Sequence, residues 1–142
     1  MLTALIDYES GNLHSALKAF EKISSENSLG SVTITNDPEI ISNADRLVLP
    51  GDGAFPACKA ALEKSEVFEA LKHAVLAKRR PFLGICVGMQ LMAKKGFEFE
   101  PTNGLNWING QVERIQLDDP SLKIPHMGWN EIAIDYDHAI LK

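Results

Sequence analysis

Cysteine is scarce in this chain: Cys58 and Cys86 are the two among 142 residues. Two thiols make no disulfide scaffold, and such sparse use fits a reducing compartment. Long apolar runs are missing too, for nothing approaches the roughly 18 apolar residues of a membrane span. The opening Leu2-Thr3-Ala4-Leu5-Ile6 is too short for a signal peptide and has no basic start. Basic charge is in deficit, 14 Lys and Arg against 19 Asp and Glu, giving a net charge of −5. That balance argues against nucleic acid or an anionic membrane as the main partner. No internal repeat, linker or low-complexity tract interrupts the chain. One cytoplasmic domain over 1–142 is the expectation, and a chain of this length buries roughly two thirds of its unfolded surface.

What is present alternates strand and helix. Leu2 to Ile6 is predicted as a strand. Leu13, Ala16, Leu17 and Phe20 follow at helical spacing, with Asn12 as N-cap. Ser28 to Ser31 reads as a turn and Val32 to Thr35 as a short strand. Arg46 to Leu49 is another strand, closed by Pro50-Gly51. Pro56 starts a helix with Ala57, Ala60, Ala61 and Leu62. Phe68, Leu71, Val75 and Leu76 mark a further helix ending at Lys78-Arg79-Arg80. Beyond Gly104, Gln111 to Leu117 and Trp129 to Ile134 alternate like antiparallel strands. Repeated strand–helix alternation implies a parallel sheet covered on both faces.

The most informative stretch is Gly84-Ile85-Cys86-Val87-Gly88-Met89-Gln90. It puts a cysteine on a sharp turn between a predicted strand, Pro81 to Ile85, and a predicted helix, Val87 to Lys95. Lys94 and Lys95 then fall in that helix's last turn, with Gly96 at the C-terminal cap. So tight a turn excludes bulky neighbours, hence glycines two before and two after Cys86. The same strand–nucleophile–helix logic governs the nucleophile elbow of hydrolases. A thiol at a helix start feels the positive end of the helix dipole, which favours the thiolate. The N–H groups there can stabilise an oxyanion. The pattern points to a nucleophile without specifying the acyl group it attacks. Cys58, in the first turn after Pro56, reads as structural.

Active sites of parallel sheets lie at the carboxyl ends of the strands. The loops after Ile6, Leu49 and Ile85 meet that condition. Pro50-Gly51-Asp52-Gly53 can offer an N–H above Cys86, completing an oxyanion hole with the Val87 N–H. A plain tight turn accounts for the same residues, and composition leaves both readings open.

At this point the residues resemble a known family, the class I (triad) glutamine amidotransferases. Four stretches carry the resemblance: Asp7-Tyr8 with Gly11-Asn12-Leu13 and Ser15; Leu49-Pro50-Gly51 with Gly53-Ala54-Phe55; the Cys86 elbow; and Pro125-His126-Met127-Gly128-Trp129-Asn130. The elbow fits any member. The other three narrow the likeness to the branch that feeds ammonia to a (β/α)₈ cyclase subunit in histidine biosynthesis. The resemblance implies a flavodoxin-like three-layer α/β sandwich with a mostly parallel sheet. It also implies that Cys86 attacks the glutamine side-chain amide to give a thioester and ammonia, with Gly51, Asp52 and Val87 holding the oxyanion. Gln90 and Glu98 match positions that contact bound glutamine; without that match they read as a solvated helix face and a capping carboxylate. Asn12, Met127 and Trp129 are implied to face the cyclase, although by pattern alone Trp129 is equally a half-buried core residue. No cofactor or metal is implied.

Two departures stand out. Asp52 occupies an oxyanion-loop position that is often apolar in the family. The family's base and acid reside in a His-x-Glu motif, and none of His14, His73, His126 or His138 is followed two residues later by Glu. The expectation is a domain truncated at its C-terminus, inactive alone, with a marginal sheet and an exposed strand edge. A non-catalytic subunit docking on the cyclase, the glutaminase subunit of another class I enzyme, and a different Cys-dependent hydrolase are the alternatives.

Overall fold

The computed structural model describes residues 1–119, 121–137 and 140. Four parallel strands form its main sheet: β1 (Leu2–Ile6), β2 (Ser31–Thr35), β3 (Arg46–Gly51) and β4 (Phe82–Cys86), in the order β2-β1-β3-β4. Leu5 of β1 pairs with Ile34 on one side and Val48 on the other. Near-continuous apolar runs such as Leu47-Val48-Leu49 are what a parallel sheet covered on both faces needs. The chain crosses β1 on its way from β2 to β3. The crevice between the carboxyl ends of β1 and β3 is therefore the switch point where such sheets bind ligands.

Among the described residues, five helices accompany these strands. Helix α1 (Leu13–Glu26) starts where predicted, the Asn12 side chain accepting the Ser15 N–H at 3.2 Å. Helices α2 (Pro38–Asn43), α3 (Phe55–Lys64) and α4 (Phe68–Leu76) pack on one face, where Ile41, Phe55, Leu62 and Leu71 meet Ala4, Ile6, Leu47 and Leu49 in the core. Alternate strand residues, Thr3, Val32 and Val48, share an apolar cavity of about 350 Å³ with Phe20 and Ile23 of α1. This face is less fully covered, and Leu83 of β4 is 50% exposed. No helix among the described residues is long and apolar enough to cross a membrane.

Four features differ from the sequence expectation. Helix α5 spans only Val87–Gln90, and Ala93–Gly96 is a strand, β5, rather than the end of a helix reaching Lys95. Tertiary pairing overrides the local pattern: β5 lies antiparallel to β6 (Thr102–Asn103) and parallel to β7 (Ile108–Val112). Gly96 is no cap; a Cβ there would come within 2.8 Å of the Phe55 ring, so glycine lets the strand lie on α3's first residue. The strand expected at Gln111 to Leu117 lies earlier, as β7, and pairs in parallel. Trp107, edge-on to Phe82 with ring centroids 5.1 Å apart, anchors its start. Residues 129–134 form no strand and are exposed throughout, with no buried face to set a register. Helix α2 was not anticipated, although Asp37 caps it by accepting the Glu39 N–H at 2.8 Å and Pro38 opens it.

Candidate active site

Cys86 ends β4 and caps α5 with φ 54° and ψ −120°, a conformation L-residues adopt only when their surroundings impose it. Gly84 and Gly88 provide the imposition. A Cβ on Gly88 would lie 1.9 Å from the Leu49 carbonyl oxygen, and one on Gly84 would lie 2.5 Å from Met89 Cα. The turn is thus pressed main chain to main chain against β3, and its sulfur is left exposed. Because α5 is a single turn, its local N–H groups matter here more than any summed dipole.

The Gly51 loop reaches the same place. Gly51 pairs with Cys86 in the β3–β4 ladder, and a Cβ on it would sit 2.7 Å from Gly88 N and 3.2 Å from Val87 Cβ. Asp52 follows, fastened across the crevice to the β1–α1 loop. Its carboxylate accepts the Gly11 N–H at 2.8 Å and lies 3.3 Å from Ser10 Oγ. Its own N–H donates to Ser10 Oγ at 3.3 Å, and its carbonyl accepts from Ser10 Oγ at 3.1 Å and from the Cys58 thiol at 3.0 Å. The polar departure at position 52 therefore ties two loops together at the switch point.

Cys86, Val87, Gly51 and Asp52 converge. The remaining positions divide differently. Gln90 is half-buried at the end of α5. Glu98 Oε2 accepts the Phe55 N–H at 2.7 Å, so its carboxylate caps α3. Asn12 is likewise an N-cap. Met127 and Trp129 are 84% and 103% exposed, which excludes the half-buried reading of Trp129 within the described residues. His14 and His73 are exposed on α1 and α4, and His126 contacts Asn130. His138 lies outside the described residues. Among the described residues nothing hydrogen-bonds to the Cys86 sulfur, and no cluster suits a metal ion.

Sequence reasoning placed Tyr8 in a family stretch without giving it a role, missed Ser10 and took Cys58 for plain structure. Cys58 is buried, yet its thiol reaches both Asp52 O and Ser10 Oγ, the latter at 3.3 Å. Its position one turn into α3, directly after the glycine loop, is the signal that could have revealed it. For Ser10 no signal exists, since its partner is 42 residues away.

The sequence profile of glutamine amidotransferase class-I matches residues 4–142. The chain is 54% identical over 142 residues to imidazole glycerol phosphate synthase subunit HisH of Cereibacter sphaeroides, covering 99% of this chain and 67% of that protein. It is 57% identical over 141 residues to HisH of Ruegeria pomeroyi, with 99% and 66% covered. With HisH of Caulobacter vibrioides the identity is 50% over 138 residues, with 96% and 65% covered. The chain thus spans about two thirds of the length of the curated relatives it matches.

Proposed function

The chain belongs to the class-I glutamine amidotransferase family, and from that premise we propose that it carries the nucleophile half of the glutaminase subunit of an imidazole glycerol phosphate synthase. One observation carries the reading: an exposed cysteine at φ 54° on a strand–helix junction, held by backbone contacts that admit no side chain at Gly84 or Gly88. Cys86 Sγ attacks the side-chain amide carbon of glutamine, and the carbonyl electrons move onto oxygen. The Val87 N–H and the Gly51–Asp52 peptide stabilise that oxyanion, where losing one donor costs about 10²–10³ in rate. The departing nitrogen takes a proton and leaves as ammonia. Water then attacks the glutamyl thioester, releasing glutamate and restoring the thiol. Gln90 and Glu98 border the glutamine.

Proton transfer needs a base, and among the described residues none lies next to Cys86: His14 and His73 are exposed on α1 and α4, and His126 contacts Asn130. We place it in a His-x-Glu pair outside these 142 residues, in keeping with the greater length of the HisH relatives. Ammonia passes to a (β/α)₈ cyclase subunit, HisF, docked against Asn12, Met127 and Trp129. The reaction is cytoplasmic and needs no cofactor.

In the complete cyclase-bound subunit, Cys86→Ala abolishes synthesis from glutamine and leaves synthesis from added ammonium intact. Retained glutamine-dependent synthesis rejects Cys86 as the nucleophile, whereas a parent complex that uses added ammonium but not glutamine favours a docking subunit without glutaminase chemistry. The 142-residue chain mixed with cyclase turns over no glutamine; turnover near that of a HisH relative places a base within it. Trp129→Ala loosens the complex without lowering the melting temperature of the free subunit, and an unchanged affinity removes Trp129 from the interface.

A further inference from the structure

The hydroxyl of Tyr8 is unmatched. Its side chain is 2% exposed and its ring belongs to the core; the Ser10 and Cys58 side chains lie nearby, yet among the described residues Oη makes no well-formed hydrogen bond. Buried hydroxyls are almost always satisfied, so an unmet one marks a place where a partner arrives in another state. Its location is specific: a Cβ on Gly51 would lie 2.7 Å from Tyr8 Oη and 2.7 Å from Gly88 N of the elbow. Burial pushes the Tyr8 phenol well above the ordinary tyrosine range, the neighbouring Ser10 side chain opposing the shift. The group is therefore a proton donor at every physiological pH.

Beside it lies the peptide joining Gly51 to Asp52, whose N–H donates to Ser10 Oγ at 3.3 Å. For this N–H to face Cys86 the peptide must turn, and the carbonyl, fixed opposite the N–H, swings the other way. Gly51 has no Cβ to obstruct the turn. Gly53, at φ 93° with open space about it, can absorb the change.

We propose that Tyr8 is a positioning residue for the oxyanion hole: its hydroxyl donates to the Gly51 carbonyl in the turned state and holds the Asp52 N–H over Cys86. The Ser10 and Tyr8 hydroxyls are then the two resting points of one peptide. This inference rests on the glutaminase reading above.

Tyr8→Phe in the complete cyclase-bound subunit removes the hydroxyl and keeps the ring. We expect kcat for glutamine hydrolysis to fall about 5- to 10-fold, the effect of one neutral hydrogen bond, with KM for glutamine within about twofold. Alkylation of Cys86 by iodoacetamide, which forms no oxyanion, keeps its rate, and the melting temperature holds or rises because an unmet buried group is gone. Replacing Tyr8 by 3-fluorotyrosine, a stronger donor of nearly the same shape, keeps kcat at or above the starting value. An unchanged kcat in Tyr8→Phe overturns the proposal. A fall matched by equal losses in alkylation rate or melting temperature also overturns it, since Tyr8 is then only structural. Cys86→Ala run in parallel separates the two claims. Turnover persisting there rejects the glutaminase reading, whereas an inert Cys86→Ala beside an unaffected Tyr8→Phe rejects only the role of Tyr8.

Discussion

Adding a single methyl group at Gly88 should disable the elbow. A Cβ there would lie 1.9 Å from the Leu49 carbonyl oxygen and 2.9 Å from its carbon, both main-chain atoms of β3 that no rotamer change can move. Restoring a tolerable separation of 3.0 Å requires the turn to retreat by 3.0 − 1.9 = 1.1 Å. Overpacking of this kind costs about 1–3 kcal/mol, or roughly 3–12 °C in melting temperature for a chain of this size. The catalytic consequence is larger, because Cys86 and Val87 ride on the displaced turn. A misplacement of about 1 Å can cost about 100-fold in rate. The assay is glutamine hydrolysis by the complete cyclase-bound subunit carrying Gly88→Ala, with iodoacetamide alkylation of Cys86 and a thermal melt alongside. We expect kcat to fall about 100-fold while the thiol stays reactive toward iodoacetamide. A loss of less than about threefold with an unchanged melt would show that α5 is not pressed against β3, and the steric account of the elbow would fail.

Glu98→Ala should cost about 0.5–2 kcal/mol of stability, because it removes the acceptor for the first N–H of α3. Glu98→Gln keeps an acceptor oxygen and should recover most of that loss. An unchanged melt in Glu98→Ala refutes the capping role, and an unchanged KM for glutamine in both variants removes Glu98 from the substrate pocket. Stability should also fall in strong alkali through Tyr8. Its phenol is raised in the folded state by burial, so the fold holds this proton more tightly than the unfolded chain does. That contribution is complete below the unfolded tyrosine value of about 10 and is lost as pH rises beyond it. Chemical denaturation at about pH 9 and about pH 11 should show a smaller decline for Tyr8→Phe than for the parent, and equal declines refute the sign.

Where a local signal and its tertiary partner agree, the sequence was readable. Asn12 announces the start of α1, Leu47-Val48-Leu49 a buried strand, and Gly84 with Gly88 a turn too tight for side chains. The reading fails where contacts distant in sequence decide. Val87 to Lys95 has good helical spacing, yet pairing with Ile108–Val112 draws Ala93–Gly96 into a strand. Gly96 resembles a helix cap in sequence and is a glycine because of the Phe55 ring 41 positions earlier. Tyr8 belongs to a family stretch that gives it no role, and Ser10 carries no local mark at all, since the significance of both lies in the loop after β3. The family resemblance drew attention to Asp52, but only the fold shows what the carboxylate grips.

Helix α5 is a single turn, closed by the Leu91 N–H on the Val87 carbonyl at 2.8 Å, so its shape is not its own. Gly84 and Gly88 hold it by the meeting of bare backbones, which carry no side-chain identity, and Gly51 closes on it beside the Tyr8 and Val87 side chains. Such a mould is indifferent to most of the chemistry around it. Ile85 and Met89 could drift among apolar residues and leave the nucleophile where it stands, whereas one carbon atom at any of three glycines would dislodge it. Mutational tolerance across this site should therefore be all or nothing, with sharp edges at the three glycines and Cys86 and wider freedom at Ile85 and Met89.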